Sequence, residues 1–307
     1  MSFEEVLPGI FLLRVPFGIV WTGIVLVRGT RNYLIDSSHE DPDLHLVPAL
    51  RELGMKPGDV DWLLNTHCHG DHIGGHHALV AKYGLKTAVI REGADTLRDP
   101  AKEAIRIRTK FPDDSPPPQS YLKGVEPDRI LAEGEALDGR LAPIGTPGHE
   151  RDCVCWYDRE TKTVFTGDSL QANGTPTQGI GFYQSLPDYR RTLAKLRSLV
   201  EPTTLPTRLG SEIENILRGH EYAGIGDVIR GKAAVAAALA TCEKYVALYA
   251  ERLKSYVSRP DLASRVSRLT SSDLVALTDR LVAEVGCGKP AMRFLALYTV
   301  AEHLKEI

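Results

Sequence analysis

Residues 66–72 read Thr-His-Cys-His-Gly-Asp-His and form a dense group of metal-ligating side chains. Three histidines and one aspartate fall within six positions: His67, His69, Asp71 and His72. Imidazole is the side chain that zinc and similar metals bind most often near neutral pH. A catalytic zinc ion usually takes about three protein ligands. Four such groups in one turn therefore predict a site for two metal ions.

Further ligand-type residues follow short apolar strands later in the chain. His149 ends the segment Thr-Pro-Gly-His, Asp168 ends Thr-Gly-Asp, and His220 ends Arg-Gly-His. A glycine precedes each of them, and glycine permits the tight turn that brings backbone close to an ion. Because α/β folds build their sites from loops at strand ends, we expect these side chains to join the 66–72 turn.

The motifs HxHxDH, TPGH, TGD and GH, in this order over residues 5–222, resemble those of the metallo-β-lactamase superfamily of hydrolases. The resemblance implies an αββα sandwich with two metal ions at one edge. It implies that His67, His69 and His149 hold the first ion, that Asp71, His72 and His220 hold the second, and that Asp168 bridges both. Asp36 matches the position of a residue that orients ligands.

The sequence pattern around these residues predicts the strands and helices that position them, in an α/β fold with an all-α extension. Short strands, rich in β-branched and aliphatic residues, fill the first third of the chain. Residues 92–126 are charged and contain a proline cluster, so we interpret them as an insertion over one face. After Gly226, apolar residues step by three and four, which predicts helices. We therefore expect a metallo-β-lactamase-like catalytic domain at 1–225 and a helical domain at 226–307.

The C-terminal helices have predicted boundaries and two possible roles. Pro260 should end a long amphipathic helix, Thr270 should cap the next helix, and Pro290 should open the last one. Glyoxalase II-like members hold glutathione with basic residues of such a region. The candidates here, which could equally lie on a solvated face, are Arg252, Lys254, Arg265 and Arg268. The extension could instead form a homodimer interface.

Composition narrows the choice of partners. A net charge of −3 gives no electrostatic reason to expect nucleic acid or an anionic membrane as a partner. The five cysteines lack paired CxxC spacing, so we expect free thiols and a cytoplasmic protein. The N-terminus begins with acids rather than a basic signal region, and no uninterrupted apolar run reaches the length of a bilayer.

These features predict a dinuclear metal-dependent hydrolase that uses a metal-bridging hydroxide to cleave a carboxylic ester, thioester or lactone. Two ions roughly 3.5–4 Å apart can lower the pKa of a shared water toward about 7. Asp71 is expected to orient the hydroxide and to move a proton to the leaving group. Zinc is the expected metal, and iron or manganese would also suit these ligands.

The surrounding loops bear on the substrate. Aromatic and apolar residues in 92–126 and 171–187 favour a small molecule with a partly apolar acyl group over nucleic acid. A phosphodiesterase or RNase of the same superfamily is one alternative. A metal-bound signalling or interaction protein with little turnover is another.

Tyr183 is a further catalytic candidate. It lies in a glycine-rich loop after Asp168, where several superfamily hydrolases use a phenol to polarise the substrate oxygen. Packing in the core is the alternative role. We expect Cys68 to be a small buried filler. The histidines expected at the solvated surface are His39, His45, His76, His77 and His303.

Overall fold

The computed structural model describes residues 1–39, 41–117, 120–200, 212–258, 262 and 269–307, and within them two β-sheets pack against each other. The first sheet holds seven strands in chain order: β1 (Glu4–Leu7), β2 (Ile10–Phe17), β3 (Val20–Val27), β4 (Tyr33–Ile35), β5 (Trp62–Leu64), β6 (Thr87–Ile90) and β7 (Arg129–Leu131). The second holds β8 (Leu141–Gly145), β9 (Val154–Asp158), β10 (Thr163–Phe165), β11 (Asn215–Leu217) and β12 (Val228–Arg230), in the order β12-β11-β10-β9-β8.

Alternation along the strands gives each sheet two apolar faces. In β2, Ile10 and Leu12 belong to the core between the sheets, where they join Trp156 of β9. Phe11 and Leu13 point the other way and pack against helices. This period of two is what a strand buried on both faces requires. The αββα sandwich expected from the motifs is confirmed.

Helices cover the outer faces of both sheets. After the strands of the first sheet come α1 (Leu46–Glu52), α2 (Gly70–Ile73), α3 (His76–Tyr83), α4 (Ala94–Arg98) and α5 (Pro100–Thr109). Short 3₁₀ turns occur at Pro57–Asp59 and Arg91–Gly93. The second sheet is covered by α6 (Leu186–Val200), α7 (Lys232–Val257), α8 (Ser271–Val285) and α9 (Arg293–Leu304).

The long helix α7 buries the stripe that its sequence predicts. The stripe residues Val235, Leu239, Cys242, Val246, Tyr249 and Leu253 all lie in the core that the extension shares with the second sheet. By length and composition alone, α7 could cross a membrane, because it has 26 residues and a stretch of mean hydropathy 1.2. Glu243 and Lys244 interrupt the apolar sequence of this helix, so the helix contains no uninterrupted apolar run of the length of a bilayer.

One predicted helix boundary needs correction, and the insertion contains a helix start with its own cap. Asp99 accepts a hydrogen bond from the Lys102 amide, and Pro100 then opens α5. The last helix begins at Arg293 rather than at Pro290. Thr270 caps α8 as expected. Pro260, the predicted end of the long helix, lies outside the described residues.

The helical extension is joined to the sandwich without a gap between their cores. The expected division between residues 225 and 226 precedes β12, which pairs with β11, so the second sheet continues past that point. Side chains of α7, α8 and α9 then share one apolar cluster with the second sheet and α6. A homodimer contact through these helices stays a prediction.

Candidate metal centre

The 66–72 turn is held rigidly at the end of a central strand. It follows β5, which lies between β4 and β6 in the first sheet, and it leads into α2. His67 and His72 are fully buried, whereas His69 and Asp71 are partly exposed. The turn therefore has two ligand candidates enclosed by protein and two that solvent can reach.

The distant ligand candidates arrive from strand ends at the same edge of the second sheet. His149 follows β8, Asp168 follows β10 and His220 follows β11. β10 and β11 run parallel, and β8 runs in the same direction because β9 is antiparallel to both β8 and β10. The ligand atoms form three groups, within each of which they lie no more than 4.8 Å apart: His67, His69 and His149; His67, His72 and Asp168; Asp71, His72 and His220.

The glycines before the ligands are required by close approach. A Cβ on Gly219 would lie 2.8 Å from both Asp168 Oδ1 and His72 Cε1. Gly148 has a φ of 144°, and a Cβ there would lie 2.6 Å from Tyr189 Cα. A larger residue at Gly219 would displace Asp168 or His72, and a larger residue at Gly148 would displace the backbone of Tyr189.

Asp168 lies between the two ligand sets. Its Oδ2 is 3.5 Å from His149 Nε2, on the side of the first set. Its Oδ1 is 3.4 Å from His72 Nε2 and 3.5 Å from His220 Nε2, on the side of the second. His220 Nε2 is also 3.3 Å from Asp71 Oδ2. One carboxylate can therefore offer an oxygen to each of two cations.

Four of the five candidate ligand histidines are oriented by a carboxylate or carbonyl oxygen that accepts a hydrogen bond from the other ring nitrogen. His72 Nδ1 donates to Asp36 Oδ2 at 2.8 Å. Asp36 has a φ of 63°, which is uncommon outside glycine, and it also accepts from the Thr66 amide and hydroxyl. These bonds hold the Asp36 carboxylate in place and leave His72 Nε2 facing Asp168.

The other histidines use acceptors from distant parts of the chain. His69 Nε2 donates to Glu150 Oε1 at 2.9 Å, which leaves Nδ1 as its ligand atom. His149 Nδ1 donates to the Phe182 carbonyl at 3.0 Å. His220 Nδ1 donates to the Trp21 carbonyl at 2.5 Å. In each case the remaining ring nitrogen faces the other ligand candidates.

Unsatisfied buried atoms indicate that these residues fit metal ions. His67 Nε2, His72 Nε2 and Asp168 Oδ1 are buried and have no hydrogen-bond partner among the described residues. A buried polar atom without a partner is costly, and native proteins rarely leave one. Three such atoms at the centre of a cluster of imidazoles and carboxylates match the donor set of divalent zinc, iron or manganese.

The charges of the cluster also favour cations. Burial alone would lower the pKa of His220, but Asp168 and Asp71 outweigh it and raise the pKa to about 10. Burial would raise the pKa of Asp168, but His220 and His72 hold it well below its usual range. Burial lowers the pKa of His149 to about 3. Because a histidine binds a metal ion only in its neutral form, a cation at this centre would displace the proton from His220.

A sequence profile described as the Metallo-beta-lactamase superfamily matches residues 16–208, more than half of the 307-residue chain. The chain belongs to this superfamily. The resemblance inferred from the motifs is thus confirmed.

Relatives in the superfamily are named for different activities. Hydroxyacylglutathione hydrolase of Brucella anthropi is 31% identical over 153 residues, which cover 49% of this chain and 47% of that protein. Acyl-coenzyme A thioesterase MBLAC2 of Gallus gallus is 29% identical over 166 residues, which cover 50% of this chain and 54% of that protein. The chain spans about half the length of the curated relatives it matches.

The likeness in fold includes the helical extension. The crystal structure of a metallo-beta-lactamase family protein from Thermus thermophilus has a TM-score of 0.68 to this chain, at 22% sequence identity. The match covers 98% of this chain and 93% of that one. The arrangement of the sandwich together with its C-terminal helices therefore occurs elsewhere in the superfamily.

Five of the seven ligand candidates, His69, Asp71, His149, Asp168 and His220, line a cleft, and His67 and His72 lie buried beside them. We call the seven ligand candidates the floor. The wall is the opposite lining, formed by Ile107 and Arg108 of α5, by Phe182, and by Met292, Phe294 and Leu295 near the start of α9. The insertion and the helical extension thus both line the cleft above the superfamily's metal site. A substrate at the floor would contact both.

Tyr183 does not reach the cleft, which corrects its predicted catalytic role. Its side chain is buried, and its hydroxyl donates to His303 Nε2 at 2.6 Å. Its neighbour Phe182 lines the cleft instead. Successive side chains of an extended segment point in opposite directions, so only one of the two can face the metals. Sequence alone does not tell which.

The segment 181–183 is clamped by the helical extension. Thr299 Oγ1 of α9 donates to the Gly181 carbonyl at 2.7 Å and accepts from the Tyr183 amide at 3.2 Å. The Gly181 amide donates to the Tyr249 hydroxyl of α7 at 3.2 Å. The same segment supplies the Phe182 carbonyl that orients His149. The extension therefore contacts the metal centre through one peptide segment.

Two histidines expected at the surface are buried. His76 shares a hydrogen bond of 2.7 Å with Ser37 Oγ beneath the 66–72 turn, and His303 is the partner of Tyr183. His39, His45 and His77 are partly buried. Cys68 is buried as expected, and all five cysteines are free thiols.

Of the basic residues proposed for the extension, the two that the structure describes do not line the cleft. Arg252 and Lys254 are exposed on α7, and Arg265 and Arg268 lie outside the described residues. Two residues missed by sequence reasoning contribute instead. Glu150 orients His69, and its position directly after His149 was the available signal. Arg108 lines the cleft, and its position in the insertion gave no such signal.

Proposed function

We propose that this chain is a metal-dependent hydrolase of carboxylic thioesters, with esters and lactones as chemically related substrates. The observation that carries the proposal is the convergence of the ligand candidates on the floor of a mostly apolar cleft. The thioester preference is supported by the activities for which two relatives are named, hydroxyacylglutathione hydrolase and acyl-coenzyme A thioesterase.

The floor offers two ligand sets joined by one carboxylate. His67, His69 and His149 would hold one ion, Asp71, His72 and His220 a second, and Asp168 would contact both. Two such ions, when bound, lower the pKa of a water and polarise a carbonyl oxygen. Zinc is the metal we propose, because its preferred ligands include imidazole and carboxylate.

The chain's own residues then orient the reactants and exclude solvent. Burial would raise the pKa of Asp71, but His72 and His220 lower it, so its carboxylate is ionised and can accept a hydrogen bond from an attacking water. Ile107, Phe182 and Phe294 give an apolar surface for the acyl chain. Excluding water from this surface strengthens the polar interactions at the floor.

The phosphodiesterase alternative requires a basic groove that leads to the metals. Among the described residues that line the cleft, Arg108 is the only lysine or arginine, and the others of the wall are apolar. This lining favours a small acylated molecule over a nucleic acid. The signalling alternative differs in having little turnover, which a direct assay measures.

The test is elemental analysis of the purified protein followed by a substrate panel. The panel contains the hexanoyl thioester of N-acetylcysteamine, a γ-lactone and bis(p-nitrophenyl) phosphate. We expect about two metal ions per chain and thioester hydrolysis that a chelator abolishes and added zinc restores. Faster turnover of the phosphodiester, or no turnover of any substrate by the metal-loaded protein, would contradict the proposal.

A further inference from the structure

Arg108 lines the cleft and has no carboxylate partner, which distinguishes it from Arg106 on the same helix. Arg106, two positions earlier on α5, pairs with Glu103 and lies 3.5 Å from Glu150 Oε2. Arg108 Nη1 instead donates to the Pro117 carbonyl at 2.5 Å. Within the described part of the chain, no carboxylate oxygen lies within the 4.0 Å of an ion pair with Arg108.

The position of Arg108 makes this unusual. Its side chain is partly buried and lines the cleft together with Ile107 and Ala104. A charged group that loses water without gaining a counter-charge costs stability. Burial lowers the pKa of Arg108, which records that cost. Such a residue is expected where a ligand supplies the missing charge.

Against the burial that lowers the pKa of Arg108, Asp71 of the cleft acts through space to raise it, but Asp71 does not form an ion pair with Arg108. The carboxylates Asp71 and Asp168 belong to the floor, where histidines surround them. The wall next to Arg108 is apolar, with Phe294 and Leu295 from the extension. An anion beside Arg108 must therefore come from a molecule that enters the cleft.

We propose that Arg108 is a specificity-determining residue that pairs with an anionic group, a carboxylate or phosphate, on the thioester substrate. This inference rests on the proposed function. The reacting carbonyl would lie at the floor, the apolar chain would pack on the wall, and the anion would reach Arg108. The planar guanidinium suits this role because it donates two parallel hydrogen bonds to a carboxylate or phosphate.

The anion could belong to the acyl part or to the thiol part of the substrate. Three thioesters of similar length separate these sources. The hexanoyl thioester of N-acetylcysteamine is neutral, the hexanoyl thioester of 3-mercaptopropionate carries its charge on the thiol part, and the glutaryl thioester of N-acetylcysteamine carries it on the acyl part. We expect one of the two anionic substrates to have a kcat/KM about 10- to 100-fold above that of the neutral one.

The variant Arg108→Gln should abolish this preference, measured as the ratio of kcat/KM for the anionic thioester to kcat/KM for the neutral one. Arg108→Lys keeps the charge but loses the fork, so it should retain part of the preference. Lys102→Gln removes an exposed cation from the first turn of the same helix and is the matched control. Its preference should equal that of the wild type.

Binding measured by calorimetry gives a readout that does not depend on turnover. The probes are three thioethers, which cannot be hydrolysed. S-hexyl-3-mercaptopropionate carries its charge on the thiol part, S-(4-carboxybutyl)-N-acetylcysteamine carries it on the acyl side, and S-hexyl-N-acetylcysteamine is neutral. We expect one anionic probe to bind more tightly to wild type than to Arg108→Gln. Equal binding and equal kcat/KM for anionic and neutral compounds would overturn the role of Arg108. If Arg108-dependent binding occurs without thioester turnover, the proposed reaction fails while Arg108 remains the anion-binding residue.

Discussion

The floor and the wall of the cleft are built in different ways. The floor takes its ligands from turns at the ends of β5, β8, β10 and β11. Hydrogen-bond acceptors outside the floor orient four of its five histidines. The wall takes one to three residues from each of three segments: α5, the segment after β10 and the region near the start of α9. Strand-end turns fix the floor through backbone geometry, whereas the wall depends on how remote segments pack.

This difference separates chemistry from substrate choice. The floor sets where a metal and a reacting carbonyl can lie, and the superfamily match concerns the segment that contains most of it. The wall lies largely in the insertion and in the helical extension, and its residues from the extension, Met292, Phe294 and Leu295, lie outside that segment. Changes at the floor should therefore alter turnover of every substrate, and changes at the wall should alter the order of preference among substrates.

The largest effect should follow from removing the shared carboxylate. Asp168→Asn keeps the shape of the side chain but removes its charge, and His67→Ala removes a buried ligand. We expect kcat/KM to fall by at least about 100-fold in both, beyond the loss typical of residues that only orient ligands. Asp95→Asn, an exposed carboxylate on α4, is the control. Wild-type rates in an Asp168→Asn protein with an unchanged circular dichroism spectrum would contradict the role of the floor.

The next effect concerns the acceptor that orients His69. Glu150→Ala removes the partner of His69 Nε2, so the ring is free to turn its ligand nitrogen away. We expect metal affinity to fall about 10- to 100-fold, measured by competition with a chromophoric chelator. Glu103→Gln changes a neighbouring buried carboxylate that pairs with Arg106 and Arg151, and it should leave metal affinity unchanged. A similar loss in both variants would point to general destabilisation.

A smaller effect is expected at the wall. Leu295→Ala removes an apolar side chain that lines the cleft without being fully buried. We expect KM for the hexanoyl thioester to rise about tenfold, with an acetyl thioester and the metal content little changed. The comparison of the two acyl lengths is the measurement. If both substrates suffer equally, the wall does not bind the acyl chain.

The smallest effect should come from Tyr183. Because its hydroxyl bonds to His303 in the core, Tyr183→Phe should change kcat/KM by no more than about twofold. The free energy of unfolding should fall by about 1 kcal/mol, the usual contribution of such a hydrogen bond. Denaturant unfolding measures the second quantity. A large loss of kcat with unchanged stability would restore the phenol to catalysis.

The floor is easier to predict from the sequence than the wall, for a physical reason. The ligand types are chemically distinctive, and each sits after an apolar strand and a glycine, so His149, Asp168 and His220 can be assigned without knowing the sheet order. Strand ends then meet because parallel neighbours end at one edge. The outer partner Asp36 follows from the family motif, but Glu150 does not, because a glutamate beside a ligand has many possible roles.

The wall could not be predicted in the same way. Arg108 looks like one of several cations in a charged insertion, and only the packing of α5 against α9 distinguishes it. The choice between Phe182 and Tyr183 depends on the phase of an irregular segment, which no periodic pattern records. His76 and His303 were misplaced because a buried histidine needs one good partner, here Ser37 or Tyr183, and that partner is distant in sequence.

The clamp on segment 181–183 has a consequence for how the molecule can be divided. Thr299 and Tyr249 hold the backbone whose carbonyl aligns His149, so cutting away the last helix would loosen a ligand as well as open the cavity. The C-terminal helices are thus not an exchangeable attachment. A chimera that grafts another family member's tail onto this sandwich would need to reproduce that grip before it could retain its metals.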